Sequence, residues 1–186
     1  MTAPSITVDV ITDPASATAL ADVAAATFPL ACPPHARPDD IAGFIDANLS
    51  AAAFTGHVTS PDSDVLAART ADGGLLGYAL VHHRAPTDPD VAAVVTERPS
   101  SEISKMYVLP DHHGRSRTDP PSHLLMRAAI DLARARGSAV VWLGVNQENV
   151  RAQRFYGKFG FTRAGVKTFD LGGSVEHDYV MALPLI

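Results

Sequence analysis

The hydrophobic pattern opens with Ile6, Val8 and Val10 alternating with polar residues, which predicts a strand with one apolar face. Asp13-Pro14 reads as a helix cap followed by a first-turn proline, so a helix is expected over 15–27. The prolines at 29, 33 and 34 should end it. Ile41, Phe44, Ile45 and Leu49 recur at helical spacing and predict a second helix over 38–53. Two strands, 65–70 and 75–83, flank Ala71-Asp72-Gly73-Gly74 and form a hairpin. The polar stretch 86–99 reads as a surface loop. A strand over 101–109 stops at Pro110, and a helix over 121–136 carries Leu124, Leu125, Ala128, Ala129 and Leu132 on one side until Gly137 ends it. The nearly unbroken apolar run 139–145 fits a strand buried on both faces. A short helix over 149–158 and an antiparallel pair, 161–170 and 176–183, complete the chain.

This order gives about seven strands and about four helices. Only the strand–helix–strand segment 101–145 demands a parallel crossover, so the class is α+β, an α/β sandwich with a mixed, mostly antiparallel sheet. A length of 186 residues with 46% hydrophobic positions suits one domain over 1–186.

Charge and cysteine content narrow the function classes. A net charge of −5 argues against nucleic acid as a partner, since phosphate backbones require clustered Lys and Arg. The short cluster around His112, His113, Arg115 and Arg117 suggests a small anion instead. No apolar run approaches the roughly 20 residues of a membrane span. The N-terminus lacks a basic region followed by an apolar one, so no secretory signal is expected. The single Cys32 fits a reducing compartment, and a cytoplasmic location is the expectation. His82 and His83 are adjacent on a strand and point to opposite faces, and no HExxH or cysteine spacing accompanies them, so no metal is expected.

The informative chemistry lies between Met106 and Phe161. The strand residues Met106, Tyr107 and Val108 lead into a loop holding Gly114 and then into an apolar helix. Backbone N–H groups at such a helix start can hold a phosphate, although an ordinary strand–helix connection would look the same. Further on, Asn149 can cap the short helix, and Ala152 and Tyr156 lie four apart on one face. A phenol there can donate a proton or can simply fill the edge of the core.

Taken together, Met106-Tyr107-Val108-x-Pro110, His113-Gly114-Arg115, Trp142-Leu143-Gly144-Val145 and Asn149-x-x-Ala152-x-x-Phe155-Tyr156-x-x-Phe159-Gly160-Phe161 resemble the GCN5-related N-acetyltransferase (GNAT) superfamily. Within it, Trp142–Val145 and the tail, Lys167 to Gly172 followed by Asp178 to Met181, are most similar to bacterial spermidine/spermine-type acetyltransferases. The resemblance implies acetyl-CoA as co-substrate, with the pantetheine arm entering between two splayed central strands that a β-bulge opens. It also implies a small-molecule amine, polyamines among them, as acceptor, and it admits a homodimer. The residues it assigns to coenzyme A are Met106, Tyr107, Val108, His113, Gly114, Arg115, Ser116, Ser122, Asn149, Ala152 and Tyr156. The backbone N–H near Val108 would polarise the thioester carbonyl, and Tyr156 would protonate the departing thiolate. Glu102 stands where the family often places a base, or else is a solvated strand-end carboxylate; by alternation it shares a face with Ser104, Met106 and Val108. Glu176 and Asp178 could hold a cation or be merely solvated.

One segment departs from the family. Members usually read Arg or Gln, two residues, Gly, one residue, then Gly or Ala, directly before the helix. Here His113 to Leu124 is longer; Ser116 or Asp119 stands at the first glycine and Thr118 or Pro121 at the second. Pro120 and Pro121 remove N–H donors, and Asp119 as a cap would set a carboxylate at a phosphate site. Nearby Arg115, Arg117, His112 and His113 could compensate through side-chain charge. Weakened or repositioned coenzyme A binding is therefore expected. A catalytically impaired binding or regulatory protein is the rival class.

Overall fold

The computed structural model describes residues 5–112 and 120–185. In chain order its elements are β1 (Ile6–Ile11), α1 (Ala17–Ala31), α2 (Pro38–Asn48), α3 (Ala51–Thr59), β2 (Ser63–Thr70), β3 (Leu75–His82), α4 (Pro89–Val94), β4 (Ser100–Val108), α5 (Pro121–Ala135), β5 (Val140–Asn146), α6 (Val150–Lys158), β6 (Thr162–Leu171) and β7 (Ser174–Pro184). The described strands form one seven-stranded sheet in the order β1-β2-β3-β4-β5-β7-β6. β4 and β5 are parallel, and the other neighbours are antiparallel. The mixed α+β architecture is therefore as expected.

Each sheet face carries its own core. On one face Leu125, Met126, Ala129, Ile130 and Ala133 of α5 bury against Val81, Ile103, Val141, Leu143 and Val145. On the other, Leu20, Ala24 and Phe28 of α1 and Phe54 of α3 pack on Val65, Ala67, Tyr78 and Leu80. The alternation of β2 and β3 supplies both sets at once, and β5 adds Val140 and Trp142 on its other face, which is why these strands read as continuous apolar runs.

Local expectations fail in three places, each for a visible reason. α1 runs through Pro29 to Ala31 instead of stopping at Thr27. Proline denies the helix only the bond to the carbonyl four residues back, which is that of Ala25, and Ala25 faces solvent. The second predicted helix is two: Leu49 is buried at 1% exposure, and the Ser50 hydroxyl accepts from the Ala53 N–H at 3.3 Å, starting α3 afresh. The expected surface loop 86–99 contains α4, capped by Asp88, whose carboxylate accepts from the Asp90 and Val91 N–H groups. Val91 and Val95 are buried against Val140, Trp142 and Val180, so the segment buttresses β5 and β7. No helix among the described residues is long and apolar enough to cross a membrane.

The central parallel pair positions everything else. β4 and β5 pair only at Ser100–Val140, Ser101–Val141 and Glu102–Trp142, and then separate. At the closed end a chain of polar contacts ties four segments together, β2, β4, the end of β3 and the α5–β5 connection. The Arg136 guanidinium donates to Asp64 at 2.6 Å, Asp64 meets His83 at 3.1 Å, His83 meets Ser101 at 2.8 Å, and Ser101 meets Ser138 at 2.7 Å. Burial holds the His83 imidazole below its usual range, with Asp64 opposing. In β4 the register against β3 slips between Ile103 and Lys105, so Ser104 is a bulged residue.

Gly77 keeps β3 and β4 close beside this opening. A Cβ there would stand 2.5 Å from the Tyr107 carbonyl oxygen and 2.9 Å from the Val108 Cα, both backbone atoms that cannot step aside. Gly77→Ala is expected to cost about 1–3 kcal/mol, the range of an overpacked core. Urea unfolding measures this, and an unchanged midpoint would refute the close approach.

Candidate active site

The bulge at Ser104 decides which β4 side chains face the opening. Directly opposed residues share a sheet face. Glu102 opposes His82, whose ring lies 5.3 Å from that of His57 on α3; Lys105 opposes Leu80, and Tyr107 opposes Tyr78. Glu102, Lys105 and Tyr107 therefore look toward α1–α3. Ile103, Met106 and Val108 turn to α5. Simple alternation had placed Glu102 with Met106 and Val108, and the extra residue overturns that grouping.

A cavity of about 300 Å³ fills the gap between β4 and β5. Its walls include Glu102, Met106, Tyr107, Asn149, Ala152 and Tyr156 from the sequence-predicted set. Val108 is buried at 7% exposure and Ser122 is the second residue of α5; neither lines the cavity. His113, Gly114, Arg115 and Ser116 lie outside the described residues, as does the rest of the altered loop up to Asp119. α5 begins at Pro121 with Pro120, not Asp119, in the cap position and no side-chain cap. Pro121 thus takes the first helical position, where an N–H would be unpaired in any helix.

α6 brings Tyr156 to the gap. The Asn149 side chain accepts from the Ala152 N–H at 3.0 Å and starts the helix as its spacing predicts. Gln153 donates to the carbonyls of Asn146 and Gln147 at 3.1 and 3.0 Å, tying α6 to the end of β5. Phe155 packs on His123 and Phe159, which leaves the next residue, Tyr156, facing the opening with its ring 6.2 Å from Phe161. Burial pushes the Tyr156 phenol up to about 12, so it is a proton donor at neutral pH. The Tyr107 phenol is likewise raised by burial.

Across the gap lies a charged floor. Gly144 of β5 has no side chain, and the space above it is filled by Lys167: a Cβ at Gly144 would meet Lys167 Cε at 2.6 Å and Nζ at 3.4 Å, with Asp178 Oδ2 at 3.3 Å. Lys167 and Asp178 are cross-strand partners on β6 and β7. Burial pushes the Glu102 carboxyl up, with Lys167 and then Lys105 pulling it back. Burial likewise raises Asp178 and lowers Lys105. Glu176 is not a solvated tail carboxylate: it is 7% exposed and accepts from Ser174 at 2.9 Å and meets His35 at 2.8 Å. The roof is aromatic, with Phe28 stacked on Phe44 at 4.6 Å and Phe169 edge-on to Phe44 at 5.4 Å.

Lys105, Lys167 and His35 were not among the sequence candidates. In the sequence Lys167 stands only as the first residue of the Lys167 to Gly172 tail, with no role of its own, and no residue type near Ser104 announces the bulge that turns Lys105 inward. Among the described residues no three His, Cys, Asp or Glu side chains group as a metal site.

A splayed parallel pair with a tyrosine at one side and a carboxylate at the other is the layout of an acyl-transfer site. Residues 24–161 match the Acetyltransferase (GNAT) family, and the chain belongs to that family of acetyltransferases. An uncharacterized N-acetyltransferase of Mycobacterium tuberculosis is 46% identical over 167 residues, which is 90% of this chain and 96% of that relative. The streptothricin acetyltransferase of Streptomyces lavendulae is 31% identical over 126 residues, covering 66% of this chain and 59% of that one. The PaiA N-acetyltransferase of Thermoplasma acidophilum, solved with coenzyme A, shares the fold with a TM-score of 0.72 at 17% identity, covering 97% of this chain and 99% of that one.

The His35–Glu176 contact makes a pH prediction. Glu176 raises the His35 imidazole above its ordinary value, chiefly through their hydrogen bond, and His35 in turn lowers the Glu176 carboxyl. The raised histidine contributes below the ordinary value of about 6.5 and loses its contribution as pH climbs through the raised one. The lowered carboxyl contributes above about 4.3 and loses its contribution as pH falls through the depressed value. With the histidine 55% exposed, the effect on stability is small. NMR titration of His35 should show the raised value, and Glu176→Gln should return it toward the ordinary one. An unchanged midpoint would rule the pair out.

Proposed function

We propose that the protein moves the acetyl group of acetyl-CoA to the amine of a small molecule by direct attack. The observation that carries this reading is the divergence of β4 and β5 beyond Glu102, with Tyr156 and Glu102 both at the opening. Strand edges released from their ladder accept an extended pantetheine arm as they would another strand. Ala152 is small enough to let the arm pass, and Met106 and Tyr107 line its path on β4. The N–H near Val108 is the donor proposed for the thioester oxygen, which gains negative charge as the amine adds.

An amine attacks only as the free base, and an alkylammonium has an ordinary pKa near 10. Glu102 is the proposed base, and burial raises its proton affinity toward what that task needs. The nitrogen forms its bond to the acetyl carbon, the carbon–sulfur bond breaks, and the sulfur leaves with the electron pair. Tyr156 donates its hydroxyl proton to that sulfur, having remained protonated because it is buried. The acylated nitrogen then gives up its remaining surplus proton, which restores the Tyr156 phenol, and the proton on Glu102 passes to solvent.

The acceptor is a small amine. Polyamines are the class implied by the sequence resemblance, and streptothricin acetyltransferase, similar over part of the chain, has an antibiotic in its name. Glu102 on β4 and Asp178 on β7 both line the cavity and can pair with the acceptor's amino group. Assembly as a homodimer is part of the same proposal.

Tyr156→Phe should lower kcat by about 10²-fold, the effect of a lost general acid, with the melting temperature retained. Glu102→Gln should lower kcat/KM by a similar ~10²-fold and remove the acidic limb of its pH profile. Thiol release from acetyl-CoA measures both; wild-type turnover in either variant removes that residue from the mechanism. Calorimetric titration with acetyl-CoA tests the altered loop: weak binding is expected, binding as tight as in a glycine-containing loop variant would refute it, and no binding would favour the catalytically impaired class.

A further inference from the structure

Four ionisable side chains crowd the acceptor side of the gap: Glu102 and Lys105 on β4, Lys167 on β6 and Asp178 on β7. None of the four makes an ion pair or hydrogen bond through its side chain among the described residues, although Glu176 beside them is fully engaged with His35 and Ser174. The four act on one another only at a distance, so a ligand that hydrogen-bonds to half-buried charges of both signs recovers part of the cost of holding them there. Both signs are present. Lys167 is laid over Gly144 between the β5 backbone and Asp178, and Lys105 reaches the Phe44 ring at 5.6 Å from the opposite strand. A purely cationic acceptor could pair with Glu102 and Asp178, but it would bring its charge against two ammonium groups. A neutral amine would leave all four without a hydrogen-bonded partner of opposite charge.

We propose that the acceptor is zwitterionic, an amino-acid-like amine whose carboxylate is held by Lys105 and Lys167 while its amino group lies against Glu102 and Asp178. This rests on the transferase reading above and narrows it to a substrate class. Lys105 and Lys167 are specificity-determining residues, with no part in the bonds made or broken. Phe28, Phe44 and Phe169 overhead line the same cavity and offer apolar surface to the rest of the acceptor.

The test uses amine pairs that differ only in a carboxylate: ornithine against putrescine, lysine against cadaverine, and phenylalanine against phenethylamine. Thiol release from acetyl-CoA gives kcat/KM for each, and melting temperature with each amine gives binding without chemistry. The carboxylate-bearing member should be preferred about tenfold or more, the scale of a hydrogen bond to a charged group. Lys167→Met should collapse that ratio toward one, and so should Lys105→Met. Gly144→Ala, which displaces Lys167 without removing it, gives the same collapse should Lys105→Met fail to fold. Equal turnover within each pair, or preference for putrescine and cadaverine, overturns the zwitterion while leaving the transferase intact. If nothing is acetylated but amino acids alone raise the melting temperature, and Lys167→Met abolishes the rise, the zwitterion site stands and the transferase reading fails. Neither turnover nor a shift with any amino acid overturns both.

Discussion

The structure turns on a parallel ladder that is begun and then abandoned. Three register pairs join β4 to β5 before the strands part. Backbone groups on the edges so exposed need a partner, and burying them without one would be costly. The sheet tolerates the gap because each strand keeps its outer neighbour: β4 is paired along nearly its whole length with β3, and β5 with β7. The Arg136–Asp64–His83–Ser101–Ser138 chain fastens the closed end, so that separation starts at a fixed place.

The bulge at Ser104 adds a second constraint. It gives β4 a change of face in mid-strand, so that the same strand offers Glu102, Lys105 and Tyr107 to the acceptor chamber and Met106 and Val108 to the α5 core. With strict alternation, Glu102 and Lys105 would stand on opposite faces. One extra residue therefore assembles the charged floor.

The mixed sheet and the parallel crossover were legible in the sequence because β2, β3 and β5 carry apolar residues on both faces and α5 has a strong apolar side. Tyr156 was legible for a different reason: Asn149, Ala152 and Tyr156 repeat at helical spacing just past a buried strand, and the helix they specify has little freedom in where it points. The charged floor was not. Lys167 becomes informative only once β6 is known to lie across β7 from a glycine on β5, which is a tertiary fact. Ser104 looks like any strand serine. α4 was hidden because its two buried valines, Val91 and Val95, sit in a stretch otherwise polar enough to pass for a surface loop.

The turn between β6 and β7 closes on α2. Gly172, at φ +61°, lies so near Asp40 that a Cβ would stand 2.6 Å from the aspartate's own Cβ. The aromatic roof over the cavity is thereby moored to the far edge of the sheet, two strands beyond β5. Remodelling that roof would drag the hairpin tip with it and would be felt on β4, where Lys105 lies against Phe44 and Tyr107 edge-on to Phe28. Roof, edge hairpin and central strand therefore form one mechanical unit, and a change in any of them is transmitted to the other two.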